Sequence, residues 1–183
     1  MAHEWEVRDR RVAFAARRWS VERSVRKRTG VAGDHEFFTI RMPDFVHVIA
    51  LTEAEELVMV RQFRHGAERV TLEMPGGLVG ADEPDVVSAA RRELLEETGY
   101  DGSLDPLGEV WPNPALLTNR CHFFVGRGVR RVSAPRPEAT EDVEVVLVPR
   151  GEIRGLIRRG DIGNALMIAG LMRWELWEGE RRG

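Results

Sequence analysis

The chain has 183 residues, 43% of them apolar and 31% charged, with a formal net charge of −3. That length suits one domain with a small appendage and a proper core, and the acidic balance offers no electrostatic footprint for nucleic acid. The one cysteine, Cys121, excludes an internal disulfide and favours a reducing compartment; no stretch approaches the ~20 apolar residues of a membrane span, and the polar start MAHEWEVRDRR is not a secretory signal. A cytoplasmic protein without nucleic-acid or membrane partners is therefore expected.

Residues 1–42 read as a small β meander. Trp5 and Val7, Val12 and Phe14, and Trp19 and Val21 sit two apart, the strand period. EFFTIRM adds a third strand, stopped by Pro43-Asp44. The remainder, 43–183, reads as one larger domain. Phe45–Leu51 is nearly continuous apolar sequence, as in a strand buried on both faces. With Leu57–Phe63 it should form a hairpin in a central sheet. Arg64, His65 and Gly66 leave that hairpin as a polar loop, and Val70–Met74 is a short strand running into Pro75-Gly76-Gly77.

A helix follows. Asp82 or Glu83 can cap it and Pro84 suits its first turn. Val87, Ala90 and Leu94 form its inward stripe, and Gly99 can supply a left-handed C-terminal residue. Strands are expected at Leu107–Trp111, Cys121–Val125 and Val143–Val148. Two helices should close the chain, at Arg150–Arg158 and Asn164–Trp177.

The chemistry concentrates in Gly76–Tyr100. Glu93, Glu96 and Glu97 lie within two turns on one side of the helix. Like charges at that spacing repel by a few tenths of a kcal/mol per pair. Either the face is simply solvated, or a cation cancels the repulsion. Mg²⁺ is typically held by one or two carboxylates plus substrate phosphates. Glu93 and Glu97, at i and i+4, present two carboxylates to one point, and Glu96 adds a third. The Gly76-Gly77 turn lets backbone approach metal and phosphates with no side chain between. Arg92, on the flank, can orient a glutamate.

The spacing of Gly77, Glu83, Arg92-Glu93-Leu94, Glu96-Glu97 and Gly99 resembles the signature of the Nudix hydrolases. One residue is extra: eight separate Glu83 from Arg92 where that family has seven. The insertion falls near Pro84-Asp85 and bears on the role of Glu83. The upstream segment VMVRQFRHGAERVTLEMPGG is similar to the ADP-ribose and nucleoside-diphosphate-sugar pyrophosphatase branch.

The resemblance implies an α+β fold, an α/β/α sandwich around a mixed central sheet, with an N-terminal antiparallel β subdomain that contributes to a homodimer. It implies Mg²⁺ (or Mn²⁺) bound by Glu93, Glu97, Glu96 and the backbone at Gly76. It implies substrate contacts from Arg64, Glu73 and Gly77, and catalytic roles for Arg92, Glu96 and an acidic residue of the loop 138–142. Glu141 matches best as general base, with Glu138 as the alternative. The reaction implied is cleavage of ADP-ribose or a related nucleotide sugar to a nucleoside monophosphate and a sugar phosphate. The alternatives are a GDP-mannose or nucleoside-triphosphate hydrolase and, in another class, a catalytically silent nucleotide sensor.

Several residues carry open readings. Arg120, in the loop with Asn113 and Asn119, can hold a phosphate or serve the loop's structure. His122 reads as a core or inter-strand residue. Cys121, Trp174 and Trp177 read as packing, and Trp5 and Trp19 as core or interface.

Overall fold

The computed structural model describes residues 3–136 and 142–182. The chain divides into two compact units. One gathers the residues up to Pro43 together with Trp111–Arg120; the other gathers Asp44–Val110 with the residues from Cys121 onward.

In the first unit, β1 (Glu6–Ala15), β2 (Ser20–Lys27) and β3 (His35–Arg41) form an antiparallel sheet in the order β1-β2-β3. A register shift pairs Val12 with Glu22 but Phe14 with Val21, so the simple period of two in the sequence is broken there. The middle strand is tied to both edges by a buried charge. Glu22 is 6% exposed and pairs with Arg10 on β1 at 3.1 Å and Arg41 on β3 at 3.2 Å. Residues 111–120 dock on β3: Ile40 donates its N–H to Leu116 and accepts from Thr118.

The second unit is built on a six-stranded mixed sheet. Its elements are β4 (Phe45–Leu51), β5 (Glu56–Arg64), β6 (Arg69–Glu73), β8 (Leu104–Val110), β9 (Cys121–Arg127) and β11 (Val143–Pro149). The order is β11-β5-β4-β9-β8, with β6 beside β5. β7 (Tyr100–Asp101) and β10 (Arg130–Arg131) form a separate short ladder. β4 pairs with β9 in parallel; the other ladders are antiparallel.

The expected hairpin of β4 and β5 is realised only at its turn end, where Ala50 meets Val58 and Leu51 meets Leu57. Beyond that the strands splay, and the segment Pro75–Val79 lies along the exposed edge of β4. Val48 donates to Pro75 O, Val46 to Gly77 O, and Val79 to Asp44 O, each at 2.8–2.9 Å. This satisfies backbone groups that burial would otherwise strand.

Side chains on β4 alternate between two cores. Ile49 and Leu51 pack with Met167, Leu171 and Trp174 of α3 (Ala165–Arg182) and with Ile153 of α2 (Ile153–Arg159). Val46, Val48 and Ala50 pack with Ala89, Ala90 and Leu94 of α1 (Val86–Thr98). Helices therefore cover both faces of the sheet, as a strand with two buried faces demands. Cys121 and Trp174 lie in the core, as expected.

Candidate active site

The site is organised by α1 and the turn before it. The helix starts later than its sequence suggests. Asp85 is the cap, accepting the Ser88 N–H at 2.8 Å, and Pro84 precedes it. Asp82 and Glu83 do not cap the helix. Its buried residues include Ala89, Ala90 and Leu94, whereas Val87 is 38% exposed; Ala89 takes the inward place expected of Val87. Gly99 ends the helix at φ 74°, donating to Leu95 O. A Cβ there would overlap Ser133 O, so glycine is required by shape as well as by φ.

Glu83 is occupied elsewhere. Its carboxylate accepts the Gly80 N–H at 2.5 Å and the Arg92 Nε–H at 2.8 Å. The Arg92 guanidinium holds this carboxyl below its ordinary range, and the Gly80 N–H adds to the effect. The extra residue is thus absorbed at Pro84-Asp85, ahead of the helix, while Glu83 still reaches Arg92.

Arg92 is the hub. Beyond Glu83 it donates to Glu96 Oε2 at 2.9 Å and to Leu78 O at 3.1 Å, and its Nη1 lies 2.9 Å from Glu93 Oε1. One guanidinium therefore joins three glutamates of the signature to the loop backbone. Its proton is held more tightly than usual, with Glu83 as the largest cause.

Glu97 is turned inward. It is 3% exposed, and Oε2 accepts the Gly76 N–H at 2.8 Å. Gly77 faces Glu93: a Cβ on Gly77 would overlap that carboxylate. A Cβ on Gly76 would overlap Val46 O. The two glycines are therefore pressed between β4 and the acidic side of α1. Glu96 is more open, with its side chain 45% exposed.

Among the described residues no three His, Cys, Asp or Glu side chains converge as a complete metal cage. Two carboxylates beside a side-chain-free turn nevertheless fit a hard cation that takes its remaining oxygens from water and substrate phosphate.

Arg64 and Glu73 form a second cluster. Arg64 donates twice to Glu73, at 3.2 and 2.8 Å. Thr71 donates at 2.8 Å, and Asn164 also hydrogen-bonds the carboxyl. Glu73 is 1% exposed. Burial pushes its pKa up, but Arg64 and the hydroxyl and amide partners outweigh that and leave it lowered. Beside the pair lies a cavity of about 390 Å³, lined by Arg64, Arg69, Thr71, Glu73, Asp161 and Asn164 among others.

Elsewhere, Arg120 stacks on Trp111 at 4.0 Å within the first unit. His122 bridges strands, as its place in β9 suggests: Nε2 lies 3.1 Å from Asp44 and Nδ1 3.4 Å from Glu109. Trp5 packs on Phe37, and Trp19 on Phe14. Glu138 and Glu141 lie outside the described residues.

Three participants escaped the sequence reading. Asp85 was hidden by the insertion, and Asn164 reads as no more than the start of a helix. His47 carried a signal, a lone histidine inside an apolar strand. It is 5% exposed, and burial lowers its pKa to about 4, so it is neutral.

Known proteins resemble this chain in sequence and in fold. A GDP-mannose pyrophosphatase of Citrobacter koseri is 34% identical over 119 residues, 60% of this chain and 61% of that protein. An ADP-ribose pyrophosphatase of Mycobacterium tuberculosis is 32% identical over 130 residues, 69% of this chain and 62% of that protein. The chain thus spans about three-fifths of the length of the curated relatives it matches. A crystal structure of an ADP compounds hydrolase superposes with a TM-score of 0.85 at 20% identity, covering 98% of this chain and 97% of that one, and so shares the fold. The NUDIX domain family matches residues 42–171, from the end of β3 into α3, and the chain belongs to that family.

Proposed function

We propose that the protein hydrolyses the pyrophosphate of a nucleoside diphosphate sugar, with ADP-ribose as the first candidate, to a nucleoside monophosphate and a sugar phosphate. The observation that carries this reading is the inward-turned Glu97 holding the Gly76 N–H, with Glu93 against Gly77. Nudix hydrolases generally need a divalent metal, and Mg²⁺ is the ion proposed, with Mn²⁺ able to replace it. Glu93, Glu97 and the Gly76 backbone would hold it, with Glu96 assisting. A bound divalent cation supplies Lewis acidity, neutralising pyrophosphate charge and acidifying water.

The chain's own residues do the rest. Arg92 fixes the glutamates in one geometry, so little reorganisation is needed when charge develops. Glu141 is proposed to take the proton of the attacking water, with Glu138 as the alternative. The water oxygen bonds to one phosphorus, the anhydride bond breaks, and the bridging oxygen leaves with the other phosphate. Arg64, Glu73 and Gly77 are proposed to contact the substrate, and Arg120 to hold a phosphate.

GDP-mannose is the second substrate reading, favoured by the relative of that activity. A homodimer is proposed because all ten residues of β1 are exposed and Val12, Phe14 and Phe38 are more than half exposed, and clustered exposed apolar side chains mark protein–protein contact surfaces. Among the described residues no helix is long and apolar enough to cross a membrane.

The test is a panel of ADP-ribose, GDP-mannose, UDP-glucose, NADH and 8-oxo-dGTP with Mg²⁺, followed by product identification. A monophosphate plus sugar phosphate is expected from a nucleotide sugar. Pyrophosphate from the triphosphate alone would replace this reading, and tight binding with no turnover would make the protein a sensor.

A further inference from the structure

The Gly76 N–H that holds Glu97 belongs to a turn that is itself held from behind. Met74, two residues earlier, is 1% exposed and donates its N–H to the Sδ of Met167 on α3 at 3.0 Å. A thioether is a weak acceptor, whereas most buried backbone N–H groups are paired with an oxygen acceptor. Met167 is 0% exposed, so the contact is fully enclosed.

His47 lies under the same turn. A Cβ placed on Gly76 would sit 2.6 Å from His47 Nδ1 and 2.9 Å from His47 Cα. That Nδ1 is buried, and the ring is close enough to the turn for backbone hydrogen bonding with Met74 and Pro75. The ring is fixed by its neighbours, stacked on Phe123 at 6.3 Å and edge-on to Phe45 at 5.6 Å. Phe123 and Met167 belong to the core shared with α3, while Glu97 comes from α1, which packs on the other core. The turn is thus gripped between the two helical layers: Glu97 on one side, His47 and Met167 on the other. Val46 and Val48 fix its carbonyls along the edge of β4.

We propose that His47 and Met167 are positioning residues. They set the height of the Met74–Gly76 backbone over the sheet, and through the Gly76 N–H they set the orientation of the Glu97 carboxylate toward the cation. The inference rests on the reading of Glu97 as a metal ligand given above. It assigns a role in metal affinity to two buried residues that touch neither metal nor substrate. Partners that orient a metal-binding carboxylate typically change affinity 10–100-fold when removed.

The test compares Met167→Leu, which keeps the volume and deletes the acceptor, and His47→Gln with Leu171→Ala, a cavity variant in the same core. Mn²⁺ binding is measured by calorimetry on the full chain without nucleotide, and Gly76 amide exchange by NMR. The expected result is roughly tenfold weaker Mn²⁺ binding and faster Gly76 exchange in Met167→Leu and His47→Gln. Leu171→Ala should keep Mn²⁺ affinity within about twofold despite a larger fall in Tm. If Met167→Leu and His47→Gln bind Mn²⁺ as the wild type does, or no more weakly than Leu171→Ala, the proposal is overturned. Neither readout uses a nucleotide sugar, so failure of the substrate reading would show separately, as a wild-type chain that binds Mn²⁺ and turns over none of the panel.

Discussion

The two sheets of this protein treat the same backbone geometry in opposite ways. Six of the seven residues of β4 are buried, whereas all ten of β1 are exposed. The six-stranded sheet is covered by helices on both faces and carries the signature glutamates on one of them. The three-stranded sheet has its middle strand tied by a buried charge, Glu22, and shows its aromatic residues outward. The first is stabilised by its own core; the second displays Val12, Phe14 and Phe38 at its surface, where the proposed homodimer would form. A substitution should therefore act on stability and activity in one unit, and on association in the other.

The sharpest break should come where the larger unit tolerates no added atom. Gly76→Ala places a methyl group into Val46 O. Displacement of the turn should cut turnover ~100-fold and cost about 2–3 kcal/mol, read from steady-state kinetics and urea unfolding. Leu94→Ala empties a fully buried site on α1 and should cost about 2–5 kcal/mol. Phe14→Ser on the exposed sheet should stay within about 0.5 kcal/mol in the dilute protein, while weakening self-association measured by sedimentation. Equal unfolding costs for the two would erase the contrast.

The Arg64–Glu73 pair sharpens it by pH. The folded pKa of Glu73 is lowered from its ordinary 4.5, so the folded state binds that proton less readily than the unfolded chain does. Its contribution is fully present above about pH 4.5 and is lost as pH falls through the lowered value. Glu73→Gln should cost about 1–3 kcal/mol at pH 7 and flatten the acid limb of the unfolding profile. Within the larger unit, the smallest effect is expected at the start of α1. Asp85→Ala should cost ~1 kcal/mol, whereas Asp82→Ala should cost nothing measurable in thermal unfolding.

The sequence made most strands and the acidic side of α1 legible because both rest on short-range periodicity. The strands expected at Phe45–Leu51 and Cys121–Val125 are nearly continuous apolar runs, and the Arg92–Gly99 spacing fixes which side chains share a side. What escaped depends on contacts between distant segments. The splaying of β4 from β5 follows from Pro75–Val79 occupying that edge, which no local pattern announces. The cap moved to Asp85 because Glu83 is claimed by Arg92, nine positions on. Met167 reads as an ordinary core residue until the Met74 N–H is found pointing at its sulfur. The register shift between Val12 and Phe14 likewise defeats a period of two.

The central claim is that the Glu97 carboxylate, held by Gly76 on the acidic side of α1, is essential to pyrophosphate hydrolysis and dispensable to the fold. It is tested most directly by Glu97→Gln, assayed for turnover of ADP-ribose and GDP-mannose at saturating Mg²⁺ alongside circular dichroism and thermal unfolding. The account predicts a loss of about 10³-fold or more in kcat, with an unchanged spectrum and cooperative unfolding. Turnover within tenfold of wild type by a folded Glu97→Gln protein would contradict it.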